Sequence, residues 1–242
     1  MIEKFKLINL KNVTSTNIEI KKFINKKFKN ICLTSDLQTG GYGRRKTKWF
    51  SYKGNMHLSI LLKPNCFLNV VNQLSFVSAI TIGDTLKKIK KNIKFNYKWP
   101  NDILINKKKA GGIVIETSSN KDIKIKWVII GIGLNIKKSP KLKNINLKAT
   151  SLIDEKILIE KKIFINFFLK NFFKNYNLWK IKGFDPIKKK WLLNIYKKNN
   201  KITIKNNNKI VKGTFVDLLS NGAIKLKINN NLKNFYYGDQ II

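Results

Sequence analysis

Three short apolar runs between Phe95 and Ile130 constrain the fold most: Phe95 to Lys98, Ala110 to Glu116 and Ile123 to Ile130. Runs this brief, rich in β-branched residues and bounded by turn-forming ones, suit buried strands better than helices. Ser118 to Lys121 reads as the hairpin turn between the last two. Just upstream the period changes. Val70, Leu74, Val77 and Ile80 recur at helical spacing and continue toward Leu86 and Ile89, which predicts a helix with one face against a core. Strands and helices that all carry apolar faces must cover one another, so the chain is expected to be α+β.

The flanking segments extend this pattern. After a short apolar opening, Ser15 is placed to cap a helix whose Ile20, Phe23, Ile24 and Phe28 share a face. Ile31 to Ser35 reads as a buried strand, Asp36 to Phe50 as a glycine-rich basic loop, and Met56 to Leu62 as another strand. Lys137 to Asn146 reads as a polar loop. A helix from about Glu155 to Trp179 carries Ile159, Ile163 and the Phe167-Phe168 and Phe172-Phe173 pairs. Asp185-Pro186 looks like an N-cap with proline at the first helical position, opening a helix that buries Trp191, Leu192 and Ile195. A boundary is expected near Asn199-Asn200, dividing the chain into residues 1–199 and 200–242. The second part alternates apolar and polar residues around an Asn221-Gly222 hairpin signal, as a small β-barrel would.

Composition narrows the class. A 43% hydrophobic content furnishes a core, and no run reaches the roughly 20 apolar residues of a membrane span. Met1-Ile2-Glu3-Lys4-Phe5 lacks the apolar stretch of a secretion signal, so a cytoplasmic protein without a membrane partner is expected. Cys32 and Cys66 stand in no C-x-x-C or Cys/His cluster, which leaves no disulfide framework or zinc site. The net charge of +37 would ordinarily point to nucleic acid, but the lysines are spread along the whole chain among Asn and Ile. That is the drift expected of an A+T-rich genome. Among 50 basic residues only Arg44 and Arg45 are arginine, and they are adjacent, which marks a place where the guanidinium fork is required for phosphate or carboxylate.

Chemistry concentrates in a few motifs. Gln38-Thr39-Gly40-Gly41-Tyr42-Gly43-Arg44-Arg45-Lys46-Thr47-Lys48-Trp49 lets the backbone approach a ligand and then supplies cations and an indole, as an anion-binding loop would. It matches neither the P-loop nor G-x-G-x-x-G. Lys98-Trp99-Pro100-Asn101-Asp102 is followed by Lys109-Ala110-Gly111-Gly112-Ile113, which can set a carboxylate and an ammonium beside one ligand. Gly131-Ile132-Gly133-Leu134-Asn135 leaves room at a strand end for a planar ring, with Asn135 positioned to bond it. His57 sits on an alternating strand and is expected to be packed rather than catalytic.

In this order, with Thr14-Ser15-Thr16-Asn17 and Gly54-Asn55-Met56, the motifs closely resemble the catalytic domain of biotin–protein ligases. The resemblance runs from about residue 8 to the end and includes Gly238-Asp239. It implies a mixed β-sheet backed by helices, like class II synthetases, with a small C-terminal SH3-like barrel. It further implies that Ser15, Thr16 and Asn17 meet the ureido head of biotin. Gln38, Gly41, Tyr42, Gly43 and Arg44 would then line its pocket, and Gly112 and Ile113 would wall it. Lys109 would reach the biotin carboxylate and the α-phosphate, while Arg44, Arg45, Trp49, Asn101, Asp102 and Asn135 would serve ATP. Two departures stand out: Tyr42 where the family usually has a basic residue, and Gly40 where Ala is commoner.

The implied reaction is activation of biotin by ATP to biotinyl-5′-AMP, followed by transfer to a lysine of the biotin carboxyl carrier protein of acetyl-CoA carboxylase. ATP comes with Mg²⁺, for which no ligands can be assigned from the sequence. Lys109, Arg44 and Asp102 are the candidates for catalysis, the first two by electrostatic preorganisation and Asp102 by helping the acceptor lysine lose its proton. Fourteen residues precede Ser15, so a form without the family's N-terminal DNA-binding domain is expected. Monomer and homodimer both stay open. Lipoate–protein ligase is the nearest alternative, but its Arg-Arg-x-[Ser/Thr]-Gly-Gly-Gly run is missing; a basic RNA-binding module is the alternative of another class. Scattered lysines without a reading helix predict only weak, sequence-independent DNA binding that falls steeply with salt. A footprint on a defined operator at physiological salt would contradict this.

Overall fold

A computed structural model of the chain describes residues 5–26, 30–141, 148–197, 201–206 and 209–241. Seven strands form the main sheet: β1 (Lys6–Val13), β2 (Ile31–Gln38), β3 (Met56–Leu62), β4 (Phe95–Lys98), β5 (Asp102–Ile105), β6 (Lys108–Ser119) and β7 (Ile125–Leu134). Their spatial order is β1-β2-β3-β7-β6-β5-β4. Only β1 and β2 run parallel; every other neighbouring pair is antiparallel, so the sheet is mixed as expected. Every residue of β3 is buried, the consequence of an apolar run with cover on both faces.

Two strands escape the apolar pattern. β1 mixes polar and apolar residues without a regular period and lies at the sheet edge, largely exposed, where a continuous apolar run is not needed. β5 has four residues, too few for a period to register, and begins inside the Lys98 to Asp102 motif. Asn106 and Lys107, both at positive φ (47° and 63°), turn the chain directly from β5 into β6. Asparagine tolerates this left-handed conformation better than other non-glycine residues.

Helix α2 (Gln73–Ile89) covers one face of the sheet, and α3 (Lys161–Lys182) and α4 (Asp185–Leu192) pack beside it. On the other face α1 (Thr16–Ile20) sits over a smaller cluster of Ile20, Ile31, Leu33, Leu61 and Ile129. Helix boundaries depart from the periodicity in four places. α2 begins at Gln73, with Val70 in a preceding 3-10 turn. α1 ends at Ile20 in a 3-10 turn, and Ser15 occupies the N-cap position without a side-chain capping bond; Phe28 lies outside the described residues. α3 starts at Lys161 rather than near Glu155. Ser151 and Asp154 bond each other's backbone N–H (3.2 and 3.0 Å) and Thr150 donates to Glu155, so local side-chain bonds hold a turn there. Within α3, Phe164, Phe168 and Phe172 take the core positions, while Ile163 faces out. In α4 Asp185 is the first helical residue and Phe184 the cap, one position earlier than the Asp-Pro pair implies.

The C-terminal strands β8 (Lys201–Asn206), β9 (Lys209–Leu218), β10 (Ile224–Ile228), β11 (Asn231–Phe235) and β12 (Asp239–Ile241) form a second, antiparallel sheet in the order β11-β10-β9-β8-β12. The expected boundary at Asn199-Asn200 lies outside the described residues. The Asn221-Gly222 turn joins β9 to β10, with Gly222 at φ +84°. It docks against the start of α2 and the segment between β4 and β5: Trp99 Nε1 donates to Gly222 O at 3.0 Å and Gln73 Nε2 to Ser220 O at 2.5 Å. Ile202, Ile204, Phe215, Leu218, Ile224 and Leu226 accordingly belong to the same core cluster as α2 and β7.

Gly83 is where α2 comes nearest β4. A Cβ there would lie 2.0 Å from Tyr97 Oη and 2.7 Å from the Phe95 ring. Tyr97 cannot yield, because it stacks on Trp191 at an interplanar angle of 13°. Alanine gains about 1 kcal/mol of helix propensity, but overpacking a core costs about 1–3 kcal/mol or more. Gly83→Ala is therefore expected to lower the urea midpoint; an unchanged or raised midpoint would show that α2 can move away.

Candidate active site

Strand pairing prepares a cleft on the α1 face of the sheet. Along β7 that face carries Ile129, Gly131 and Gly133; along β6 it carries Gly112, Val114 and Glu116, each directly opposite in register. The glycines are needed because neighbouring side chains occupy the space. A Cβ on Gly131 would lie 2.5 Å from Asn17 Oδ1, and one on Gly133 would lie 2.4 Å from the Trp49 indole. The planar ring that the glycines admit here is thus Trp49 itself, whose Nε1 is buried without a partner among the described residues. The cavity above this floor measures about 290 Å³.

One end of the cavity is polar and lined by buried residues. Ser15, Thr16 and Asn17 are buried at the start of α1. Thr16 donates from both its backbone N and its hydroxyl to Gln38 Oε1 (2.8 and 3.0 Å), and Gln38 Nε2 donates to Ser51 Oγ (2.9 Å). Asn17 Nδ2 and the Tyr42 hydroxyl both donate to Glu116 Oε1, at 2.7 and 2.6 Å. Burial pushes the Tyr42 hydroxyl toward higher pKa, and its bond to Glu116 adds to that. Tyr42 therefore stays a protonated donor.

The other end is cationic. The loop closes on itself through Trp49 N to Gly41 O (2.9 Å) and Gly43 N to Thr47 O (2.8 Å). Between these bonds Arg45 and Lys46 adopt positive φ (51° and 58°), a conformation costing non-glycine residues about 1–3 kcal/mol each. The turn brings Arg44 and Arg45 together on one carboxylate. Arg44 Nη1 donates to Asp239 Oδ1 at 2.8 Å and Arg45 Nη1 to Asp239 Oδ2 at 3.2 Å. Asp239 belongs to β12, so the second sheet contributes to the cleft.

Lys109, at the start of β6, donates to Asp102 Oδ1 at 2.6 Å, while Lys98 holds Oδ2 at 2.8 Å. Burial alone would raise the Asp102 pKa, but the two ammoniums outweigh it and keep the carboxyl below its usual range. Two further cleft-side residues have their side chains committed to structure. Asn101 Nδ2 donates to Ile113 O (2.7 Å), and Ile113 lines the cavity while also belonging to the helix-side core.

Most residues singled out in the sequence therefore meet in one place: Ser15, Thr16, Asn17, Gln38, Tyr42, Gly43, Arg44, Arg45, Trp49, Asn101, Asp102, Lys109, Gly112 and Ile113 all line the cavity. Gly41 and Asn135 do not. Gly41 closes the loop behind it, and Asn135 is buried, donating to Thr150 O (3.1 Å) and accepting from Asn55. Asn55 itself receives three backbone N–H groups, from Ile136, Lys137 and Lys138, which accounts for the Gly54-Asn55 motif as a loop clamp. His57 is packed as expected: burial lowers its pKa to about 4, and Nε2 lies 3.2 Å from Tyr52 O. Two residues had no assigned part in the motifs: Asp239, which lines the cavity and pairs both arginines, and Glu116, which accepts from Asn17 and Tyr42.

Residues 8–135, more than half of the chain, match the model of the biotin/lipoate A/B protein ligase family. The chain belongs to that family. The matched stretch holds every cavity-lining residue of this family member except Asp239. Among relatives, it is 31% identical over 213 residues to the bifunctional ligase/repressor BirA of Bacillus subtilis, covering 86% of this chain and 64% of that protein. The chain thus spans less than two thirds of that relative. It is 27% identical over 223 residues to the biotin–[acetyl-CoA-carboxylase] ligase of Paracoccus denitrificans, covering 90% and 92%. In structure it resembles the biotin protein ligase from Aquifex aeolicus in complex with biotin and ATP, with a TM-score of 0.82, 30% identity and 98% of each chain covered.

The Lys98–Asp102–Lys109 triad makes a prediction about stability. Asp102→Asn would leave the Lys98 ammonium, 8% exposed, without its counter-charge, at a cost of about 3 kcal/mol or more. Because the folded-state pKa of Asp102 is depressed below 3.8, the wild-type advantage is present above that value and lost as pH falls through the folded one. Urea unfolding of both proteins at neutral pH and in acid should show the gap narrowing; a gap independent of pH would mean that the ionised carboxylate is not its source.

Proposed function

We propose that this chain is a biotin–protein ligase, forming biotinyl-5′-AMP from biotin and ATP and passing the biotinyl group to a lysine of an acceptor protein. The observation that carries the proposal is the two-ended cleft. A small polar recess at Ser15, Thr16 and Asn17 leads over a glycine floor to Arg44, Arg45 and Lys109. That suits a ligand with a neutral head and an anionic tail. The named activity of the Paracoccus relative and the ligands of the Aquifex structure support the same reading. The acceptor we propose is the biotin carboxyl carrier protein of an acetyl-CoA carboxylase, in keeping with the Paracoccus relative's name.

In the first step a biotin carboxylate oxygen attacks the α-phosphorus of ATP and pyrophosphate leaves. Two anions must be brought together, so the protein's task is electrostatic: Arg44 and Arg45 exchange Asp239 for ligand oxygens, and Lys109 swings from Asp102 to the oxygens shared by carboxylate and phosphate. Lys98 keeps Asp102 paired when Lys109 turns away. We take Mg²⁺ to enter with ATP, on its phosphates. In the second step the acceptor lysine, with an ordinary pKa of about 10.4, gives up a proton before its amine attacks the acyl carbon and AMP leaves. To Asp102 Oδ1, freed by Lys109, we assign the role of drawing that ammonium in and helping it lose its proton.

Pyrophosphate exchange into ATP tests the first step, with biotin and lipoate supplied in turn. Exchange dependent on biotin is expected; exchange dependent on lipoate alone would reassign the substrate within the family, and none with either acid would overturn the proposal. Lys109→Ala should cut the exchange rate by about 100-fold or more without unfolding the protein, since Asp102 retains Lys98. Arg44→Lys should also be strongly impaired, because an ammonium cannot make the two-pronged contact of a guanidinium. Full activity in either variant would remove that residue from the chemistry.

A further inference from the structure

Glu116 is the acidic side chain on the α1 face of β6, and three donors converge on it from two distant segments. Asn17 Nδ2 and the Tyr42 hydroxyl reach Oε1 at 2.7 and 2.6 Å, and Lys21 Nζ reaches Oε2 at 2.7 Å. The side chain is 20% exposed, so these bonds are partly shielded from water. Nothing in the proposed chemistry uses this carboxylate, and its charge is opposite to that needed for an anionic ligand. We infer that Glu116 is a positioning residue, which fixes the Asn17 amide at the head end of the cleft and, through Tyr42, latches the glycine loop onto β6.

The amide geometry supports this. Asn17 Oδ1 accepts from Ser59 Oγ at 2.5 Å while Nδ2 donates to Glu116, so both ends of the amide are defined. A flipped amide would set Oδ1 against the carboxylate, which is repulsive. In the observed orientation, lying over Gly131, Asn17 has one N–H and one oxygen lone pair without a partner among the described residues. One donor and one acceptor at a buried end suit a urea-like group. The latch works from the other side: Tyr42 has a single hydroxyl proton, which goes to Glu116, while Lys46 Nζ stands 4.0 Å over its ring. Tyr42 thus anchors the loop that presents Arg44 and Arg45.

The inference about Asn17 rests on the proposed biotin reading; the latch does not. In the biotin-dependent exchange assay, Glu116→Ala should raise the biotin KM by about tenfold or more while leaving the ATP KM within about twofold, because a lost charge-assisted bond acts at one end of the cleft only. Glu116→Gln, which keeps an acceptor oxygen, should recover most of the loss. Tyr42→Phe should raise the biotin KM less, and combined with Glu116→Ala it should add nothing further, since both variants break the same bond. A parallel rise in both KM values, a fall in kcat alone, or fully additive effects would overturn the positioning role. Hydrogen exchange without ligand decides the latch separately: residues 39–50 should exchange faster in Glu116→Ala and Tyr42→Phe, with β7 unaffected. Unchanged protection of the loop in both variants refutes the latch. Failure of wild-type protein to show biotin-dependent exchange would count against the proposed function, leaving the latch to stand or fall on the hydrogen-exchange result.

Discussion

The site depends on the pairing of β6 with β7 in one register, Gly112 opposite Gly133 and Val114 opposite Gly131. A sheet face must normally be covered by its own side chains, and here two adjacent strands withhold theirs over a small area. The uncovered backbone is not left to water. Trp49 lies over Gly133 and Asn17 over Gly131, so an aromatic face and an amide replace the missing side chains and form the walls of a cavity. A slip of one residue in either strand would turn the glycines to the helix side, where Ile130 and Ile132 belong to the main core, and would remove both the floor and part of the packing.

Charge along the cleft falls into an inner and an outer set. The innermost ions, Lys98 and Asp102, are each 8% exposed and neutralise one another, and Lys109, 32% exposed, shares the same carboxylate. Arg44 and Arg45, 29% and 51% exposed, meet the half-exposed Asp239 of the second sheet. The outer pairs are therefore exchangeable at small cost, while the inner pair is not. A cationic cleft is thus held together before any anion arrives, with counter-charges that an incoming ligand can displace.

The C-terminal sheet enters this arrangement through two contacts. Its Asn221-Gly222 turn accepts the Trp99 indole N–H within the Lys98 to Asp102 motif, and Asp239 reaches the arginine loop. Both sides of the cleft thus touch the same small sheet. The close fit at Gly222, where a Cβ would lie 2.9 Å from Phe76, ties the turn to α2 as well.

By itself the sequence determined the helices and strands whose apolar runs exceed a single turn or pair of residues, the antiparallel C-terminal segment, and most of the residues that line the cleft, because each depends on local periodicity or on motifs a few residues long. β3 and β4 begin and end where their apolar runs do. It did not reveal β5, the late start of α3 or the outward turn of Ile163, where short length or competing side-chain bonds override the pattern. Tertiary structure alone decided which group fills the space the glycines leave, that Asn135 supports the cleft from behind, and that Glu116 joins Asn17, Lys21 and Tyr42. These are contacts between residues as many as 99 apart, set by strand register and sheet order, and no local spacing encodes them.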